Sequence, residues 1–165
     1  MKIAFISDTH GNKKSLELIL NKVKELKADI LIHLGDYAND INFLKDNFEG
    51  IVYAVAGNCD YSYDYPKENL ININGKKILL THGDLYNVKN SLNNLIYKGK
   101  SLNVDIILFG HTHIFIKEEI DGILIMNPGS IPKPSPWCKY GCIGLIDIDD
   151  IGIINFSKLC KISLD

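Results

Sequence analysis

Five apolar segments of this sequence each lead into a short polar motif built from Asp, His, Asn, Thr, Cys and Gly. In open α/β sheets, the crevice that binds ligands lies outside the carboxyl ends of the strands. We therefore expect the five motifs to converge on one site. In chain order they are Asp8-Thr9-His10, Gly35-Asp36, Gly57-Asn58-Cys59-Asp60, Thr81-His82-Gly83-Asp84 and Gly110-His111-Thr112-His113.

The first half of the chain alternates strand and helix patterns. Apolar runs at Lys2–Ser7, Asp29–Leu34 and Ile51–Ala56 are typical of buried strands. Apolar residues recur at helical spacing between them, and Asn12 is placed to cap the first helix. This order predicts a parallel, doubly wound arrangement of this half. The helical positions are Leu16, Ile19, Leu20, Val23 and Leu26, then Ile41, Leu44 and Phe48.

The second half is richer in antiparallel signals. The dipeptides Asn74-Gly75 and Asp121-Gly122 are typical of two-residue hairpin turns. A helix is expected around Val88–Leu102, and the last two strands are expected to close the fold as an antiparallel pair. The expected strands are Leu70–Ile73, Lys77–Thr81, Asp105–Phe109, Ile114–Ile120, Ile123–Met126, Gly141–Asp149 and Gly152–Leu159.

Prolines 132, 134 and 136 predict a loop over Ser130–Tyr140. One interpretation is a stiffened surface connection. The alternative is a wall of the active site, in which Trp137 and Tyr140 offer stacking faces to a substrate. The alternating tyrosines Tyr61, Tyr63 and Tyr65 leave a similar choice open, between lining the crevice and packing under its loop.

Composition bounds the class of protein. The 165 residues favour a single domain spanning 1–165, with 46% hydrophobic and 23% charged residues. All 18 basic residues are lysines and the net charge is −2, which argues against a stable nucleic-acid complex. No apolar run reaches membrane-spanning length, and Ile3–Ile6 is too short for a signal peptide. We expect a cytoplasmic protein with four reduced cysteines.

The five motifs, in this order, resemble those of the calcineurin-like metallophosphoesterase superfamily. The resemblance covers about residues 3–113, and Asn127-Pro128-Gly129-Ser130 extends it. The short chain is similar to the compact YfcE-type phosphodiesterase branch. The resemblance implies an α/β fold in which a central β-sandwich of mixed parallel and antiparallel sheets is flanked by helices, as four α/β/β/α layers.

The resemblance also implies two metal sites with a shared ligand. One ion would be held by Asp8, His10, Asp36 and His113, and the other by Asp36, Asn58, His82 and His111. Mixed carboxylate, imidazole and amide ligands suit Mn²⁺, Fe²⁺, Zn²⁺ or Ni²⁺ better than Ca²⁺. The resemblance favours Mn²⁺ for both of the divalent ions.

The implied reaction is hydrolysis of small phosphodiesters by a bridging hydroxide that two metal ions activate. The residues implied in catalysis are Asp36, Asn58, Cys59 and His82, and those implied in substrate binding are Asn12, Asn58 and His111. Many members of the superfamily have a histidine at the position of Cys59, where it is thought to protonate the leaving group. A thiol is a poorer donor than imidazolium, so we expect a bias toward good leaving groups.

Two other functions remain open at this stage. A non-catalytic protein-interaction scaffold of the same fold is one, although all seven implied ligand positions hold competent residues. A phosphomonoesterase is the other, and it is disfavoured because the chain lacks arginine to meet a dianion. The expected partner is a small phosphodiester, and no association with a membrane is expected. An edge strand or the second hairpin is available for a homodimer, and the sequence does not decide.

Overall fold

The computed structural model describes residues 1–37, 39–61, 64–132 and 141–162. Expectations for Tyr63, Trp137 and Tyr140 lie outside these ranges. The described ranges form three α-helices, α1 (Lys13–Leu26), α2 (Asn39–Asn47) and α3 (Asn93–Ser101). Their strands are β1 (Lys2–Ile6), β2 (Ile30–His33), β3 (Ile51–Ala54), β4 (Glu68–Ile73), β5 (Lys76–Thr81), β6 (Ile106–Leu108), β7 (Phe115–Ile120), β8 (Ile123–Pro128), β9 (Gly141–Ile148) and β10 (Ile154–Ile162).

The strands form two five-stranded mixed sheets. In the first sheet the order is β10-β9-β1-β2-β3, with β1, β2 and β3 parallel and β9 antiparallel to both of its neighbours. In the second sheet the order is β4-β5-β6-β8-β7, with a parallel centre and antiparallel strands at both edges. Both sheets are therefore mixed, as the resemblance implies.

Three apolar clusters define the layers. The inner cluster lies between the sheets and joins Phe5 and Ile32 of the first sheet to Ile78 and Leu108 of the second. A second cluster packs α1 and α2 on the outer face of the first sheet. A third packs α3, through Leu95, on the outer face of the second sheet. This is the expected four-layer α/β/β/α arrangement, and that prediction is confirmed.

The expectation of a doubly wound first half was wrong. Helices α1 and α2 share one face of the first sheet, because Leu16 and Leu44 belong to the same apolar cluster. Strands β1, β2 and β3 follow one another in a single direction across the sheet. Two right-handed crossovers in the same direction place both helices on one side. The second sheet covers the other side, where a doubly wound fold would have helices.

Local structure confirms the turns and corrects one helix. Asn74 and Gly75 both have positive φ, as do Asp121 and Gly122, which is the backbone of type I′ hairpins. Helix α3 begins at Asn93, five residues later than the spacing predicted, because a 3₁₀ turn at Asp84–Tyr86 precedes it. No helix in the described ranges has both the length and the apolar character needed to cross a bilayer.

The fold brings the five motifs to one end of the sandwich. They follow β1, β2 and β3, which are adjacent in the first sheet, and β5 and β6, which are adjacent in the second. Several hydrogen bonds join these loops directly. The N–H of Gly110 donates to the carbonyl of His82 at 3.0 Å, and the N–H of His111 donates to Asp8 Oδ2 at 3.1 Å.

Candidate metal centre

Asp8 lies at the middle of the centre. It follows β1 directly and is fully buried. Its Oδ1 atom accepts no well-aligned hydrogen bond in the described part of the chain, although it lies 3.1 Å from His113 Nε2 and 4.0 Å from His82 Nε2. A buried carboxylate oxygen without a hydrogen bond is costly unless a cation meets it. The surroundings of Asp8 therefore suit a metal ion.

Two groups of side chains could each hold a cation, and they share Asp8. The first is Asp8, His10 and His113, and the second is Asp8, Asp36 and His82. Within each group the ligand atoms lie within 4.8 Å of one another. Six implied ligands thus meet at one place once His111 is included, because its Nδ1 lies 3.2 Å from His82 Nε2.

Asp8 belongs to both groups, and the assignment of Asp36 as the ligand shared by two ions stays a prediction. The carboxylate of Asp36 faces the second group, with Oδ1 3.4 Å from His82 Nε2. Burial alone would raise the pKa of the Asp8 carboxyl. The neighbouring His113 and His82 outweigh this effect and hold that pKa below its ordinary value.

The orientation of His82 follows from one hydrogen bond. Its Nδ1 lies 2.7 Å from the carbonyl oxygen of Leu34, which can only accept. Nδ1 therefore carries a proton, and Nε2 faces Asp36. Metal-binding histidines use this arrangement, in which one nitrogen is fixed by a backbone carbonyl and the other is available as a ligand.

The backbone at the site is unusual. In extended chain, residues two apart, such as Asp8 and His10 or His111 and His113, would point to one face. The side chains do converge, yet all four residues have left-handed backbone, with φ between 50° and 67°. Left-handed turns at the strand ends, rather than extended chain, therefore aim these ligands. Asp36 has the same conformation, with φ of 61°. Such strain persists only where the surrounding structure fixes it.

Glycines allow the loops to approach this closely. A Cβ atom on Gly57 would lie 2.1 Å from Asp36 Oδ1, and one on Gly110 would lie 1.9 Å from Ser7 Oγ and 3.0 Å from Asp8 Oδ2. The motif glycines are therefore required by the packing of the two carboxylates.

Asn58 and Cys59 lie on an exposed turn after β3. The backbone N–H of Cys59 donates to Asp36 Oδ1 at 2.9 Å, which holds the turn beside the centre. Asn58 Nδ2 lies 3.5 Å from Cys59 Sγ. Desolvation and the hydrogen bond to Asp36 raise the pKa of Cys59 to about 11. The thiol is therefore protonated near neutral pH and has a proton to donate.

Asn12, expected both to cap a helix and to contact substrate, is a helix cap in the structure. Its side-chain oxygen accepts a hydrogen bond from the N–H of Ser15 at 2.9 Å. Its contact with substrate stays a prediction. Burial and the nearby His82 lower the pKa of His111, so its ring is neutral near pH 7 and has a lone pair to offer.

Asp60 joins two of the ligand loops. Its carboxylate accepts hydrogen bonds from three backbone N–H groups, those of Asp36 at 3.0 Å, Tyr37 at 2.8 Å and Gly57 at 2.8 Å. Asp60 thereby fixes the loop after β2 against the loop after β3.

A buried chain of hydrogen bonds fixes Thr9, which lies between the implied ligands Asp8 and His10. His33 Nδ1 accepts from the N–H of Gly35, so the proton of the neutral ring lies on Nε2, which donates to Thr9 Oγ1 at 2.8 Å. The Thr9 hydroxyl in turn donates to Asp40 Oδ2 at 2.7 Å. Thr9 belongs to the first sequence motif, whereas His33 and Asp40 lie outside all five motifs. Asp40 gave no signal, because an acid in the first turn of a helix is ordinary.

Residues at the end of β8 and just after it brace the centre as well. Asn127 Nδ2 donates to the carbonyl of Gly110 at 2.7 Å and to Thr112 Oγ1 at 3.0 Å. Ser130 Oγ donates to the carbonyl of Asp8 at 2.8 Å. These contacts explain why Asn127 and Ser130 extend the motif pattern although neither belongs to the metal-ligand groups.

Of the tyrosines proposed to line the crevice, Tyr61 is exposed and Tyr65 packs away from the centre. Tyr65 contacts Lys45 and Asn42 of α2 and packs against Ile41. Tyr65 therefore packs under its loop and does not line the crevice.

Comparison with known proteins identifies relatives of the whole chain. A family model described as a calcineurin-like phosphoesterase superfamily domain matches residues 1–150. The probable metallophosphoesterase YsnB of Bacillus subtilis is 39% identical over 135 residues, which cover 81% of this chain and 77% of that protein. The phosphodiesterase YfcE of Escherichia coli K12 is 29% identical over 180 residues, covering 93% and 91%. These matches confirm the resemblance that the motifs indicated.

Solved structures agree with the fold. Wild-type Vps29 of Entamoeba histolytica, complexed with Zn²⁺, superposes with a TM-score of 0.76 at 22% identity, over 100% of both chains. At this level of identity, the likeness shows a common fold and nothing about activity.

Replacing Asp60 with Asn tests its role in joining the loops. The amide keeps one acceptor oxygen but sets an NH₂ group against backbone N–H donors, so the Asp36 and Asn58 loops separate. We expect Mn²⁺ affinity, measured by titration calorimetry, to fall about 10- to 100-fold in Asp60→Asn. Asp149→Asn is the matched control, because Asp149 Oδ1 also accepts two backbone N–H bonds in a distant turn. Equal losses in the two variants would contradict this role.

His33 predicts a pH dependence of folding. Burial lowers the pKa of His33 to about 4, below its ordinary value of 6.5. Below pH 6.5, His33 binds a proton in the unfolded chain but not in the folded chain. The contribution of His33 to the free energy of unfolding therefore falls as the pH drops toward 4. The loss amounts to about 3 kcal/mol.

We therefore expect the free-energy difference between the wild type and His33→Gln to shrink by that amount between pH 7 and pH 4. Urea unfolding of both proteins in the presence of chelator measures this difference. Groups other than His33 titrate in both proteins, so their contributions cancel in the difference. A difference that stays constant with pH would show that His33 does not titrate as described.

Proposed function

Because this chain belongs to the calcineurin-like phosphoesterase superfamily, we propose that it hydrolyses small phosphodiesters with two divalent metal ions. Relatives named metallophosphoesterase and phosphodiesterase support phosphoester hydrolysis. The observation that supports the metal centre most strongly is the buried Asp8 Oδ1, which lacks a hydrogen bond in the described residues and faces imidazole nitrogens.

The donor set fits the proposed ions. One ion would be held by Asp8, His10, Asp36 and His113, and the other by Asp36, Asn58, His82 and His111. Divalent ions bound there would supply Lewis acidity toward a phosphoryl oxygen and would lower the pKa of a water molecule, making hydroxide available near neutral pH. Nitrogen and carboxylate ligands leave Mn²⁺, Ni²⁺, Fe²⁺ and Zn²⁺ open, and the resemblance to the family favours Mn²⁺.

The net charge of the centre and the positions of its side chains define the roles that we propose for them. Two buried aspartates against two dications leave a net charge of about +2, which suits a phosphodiester anion. Asn58 is exposed and His111 is partly exposed, and we assign both to bind a phosphoryl oxygen. The hydrogen bonds from His82 Nδ1 to the carbonyl of Leu34 and from the N–H of Cys59 to Asp36 hold the catalytic side chains in their orientation.

Cys59 is the proposed proton donor to the leaving oxygen. Its thiol is exposed and protonated, and the turn that carries it is tied to Asp36. A thiol donates a weaker hydrogen bond than imidazolium, so the enzyme depends on the stability of the leaving group itself. Diesters with good leaving groups are therefore the expected substrates.

A paired rate assay tests the function. Protein stripped with chelator receives Mn²⁺ and either bis(4-nitrophenyl) phosphate or 4-nitrophenyl phosphate. We expect turnover of the diester that requires metal and falls by about 100-fold or more in His82→Ala and Asn58→Ala. Asn155→Ala is the control for Asn58→Ala, because Asn155 is exposed on the outer strand β10.

The outcomes separate the alternatives. Preference for the monoester would contradict the phosphodiesterase proposal and favour a phosphomonoesterase. Absence of turnover with Mn²⁺, Ni²⁺, Fe²⁺ and Zn²⁺ would favour a non-catalytic scaffold, a function for which the likeness to Vps29 offers a fold but no further support.

Replacing Cys59 with His tests the proton donor. Imidazolium is the stronger donor, so we expect Cys59→His to raise the rate on diesters with poor leaving groups about tenfold or more, with little effect on nitrophenyl esters. The measurement is the slope of log(kcat/KM) against the pKa of the leaving group, in Cys59→His and in the wild type. An unchanged slope would remove Cys59 from the mechanism.

A further inference from the structure

Large apolar side chains are exposed at the end of the sandwich where the loops of the metal centre meet. Five of them follow the ligand motifs, each within three residues of an implied ligand, and all five are exposed to solvent. We call these residues the apolar rim. They are Tyr37, Tyr61, Leu85, Ile114 and Phe115.

The position of the apolar rim distinguishes it from scattered exposed residues. Its members come from four loops that belong to both sheets, and these loops meet at one end of the sandwich. Exposed apolar groups that cluster beside a polar site mark a surface that binds a ligand. The centre itself supplies charge for a phosphate, so the apolar rim is positioned to meet the organic groups esterified to it.

Tyr37 is the most strongly fixed member. Its φ of 93° is a strained conformation for a residue with a side chain. The conformation is held by a hydrogen bond from its N–H to Asp60 Oδ1 at 2.8 Å. Its ring lies over Gly11, where a Cβ atom would come within 2.6 Å of the ring, and meets His10 edge-on with centroids 6.4 Å apart.

These contacts place the Tyr37 ring beside His10, a member of the first metal-ligand group. The centroid of the His10 ring is in turn 5.4 Å from that of His113. Part of the Tyr37 side chain remains open to solvent, with 43% of the residue exposed. A ring that is both fixed and exposed offers a packing surface at low cost in conformational entropy.

We propose that Tyr37 determines substrate specificity by packing against an aromatic or bulky apolar ester group of the phosphodiester. This inference rests on the proposed phosphodiesterase function and deepens it. The substrate class is phosphodiesters in which at least one ester group is aromatic or apolar, rather than diesters of small alcohols. The ester group that stays on the phosphate is the one that Tyr37 recognises.

Two substrates with the same leaving group test the proposal. Bis(4-nitrophenyl) phosphate and methyl 4-nitrophenyl phosphate both release 4-nitrophenolate and differ only in the group that stays. The readout is the ratio of their kcat/KM values, in which intrinsic reactivity cancels between protein variants. We expect Tyr37→Ala to lower this ratio about three- to tenfold, mainly through KM for the aryl diester.

Three further variants complete the design. Tyr37→Gly also lacks the ring but adopts a φ of 93° without strain, so it guards against misfolding of Tyr37→Ala. Tyr37→Phe retains the ring and should keep the wild-type ratio. Tyr97→Ala removes an exposed tyrosine from α3, on the outer face of the second sheet, and should change nothing.

A binding measurement supplies a readout that needs no turnover. Titration calorimetry with diphenyl phosphate and dimethyl phosphate compares an aryl and a small diester on the Mn²⁺-treated protein. We expect preference for diphenyl phosphate in the wild type and in Tyr37→Phe, and its loss in Tyr37→Gly.

The outcomes distinguish this inference from the function beneath it. An unchanged kcat/KM ratio in folded Tyr37→Ala and Tyr37→Gly, with both substrates hydrolysed, would overturn the role of Tyr37 and leave the phosphodiesterase intact. Hydrolysis of neither substrate by the wild type would refute the function. In that case calorimetry decides alone, and equal affinity for the two diesters would overturn the inference.

Discussion

The burial of two carboxylates, Asp8 and Asp36, is the constraint on which the rest of this structure depends. Both are almost fully inaccessible, and their ionic partners among the described residues are histidines rather than lysines. Burying a carboxylate without a strong counter-charge is costly. The cost is explained if the site exists to hold divalent cations, and the surrounding hydrogen bonds then serve to keep the carboxylates in place.

The sandwich makes such a site by bringing two sheets to a common end. The parallel strands of each sheet have their carboxyl ends at this common end. Glycines allow the loops there to approach closely enough for the carboxylates to contact neighbouring backbone. Asp60 and the His33–Thr9–Asp40 chain hold strained, left-handed ligand residues in position. Local strain at a functional site is thus balanced by contacts that have no direct part in the chemistry.

Much of this could be predicted from the sequence, and the failures have physical causes. The motifs located the centre, and the dipeptides Asn74-Gly75 and Asp121-Gly122 located both hairpins, because these signals are local. The doubly wound expectation failed because alternating strands and helices do not reveal which sheet covers the second face. Asp40 was missed because its role arises from a contact with Thr9 that is distant in sequence. The strain at Tyr37 has no signature in residue type and appears only in the backbone.

Anomalous diffraction from crystals of the Mn²⁺-loaded protein tests the central claim most directly. The account predicts two manganese peaks roughly 3.5–4 Å apart. One peak would contact Asp8, His10 and His113, and the other would contact His82 and Asn58, with a carboxylate between them. A single peak, or peaks away from the end of the sandwich where Asp8 and Asp36 are buried, would contradict a two-metal centre built from these loops.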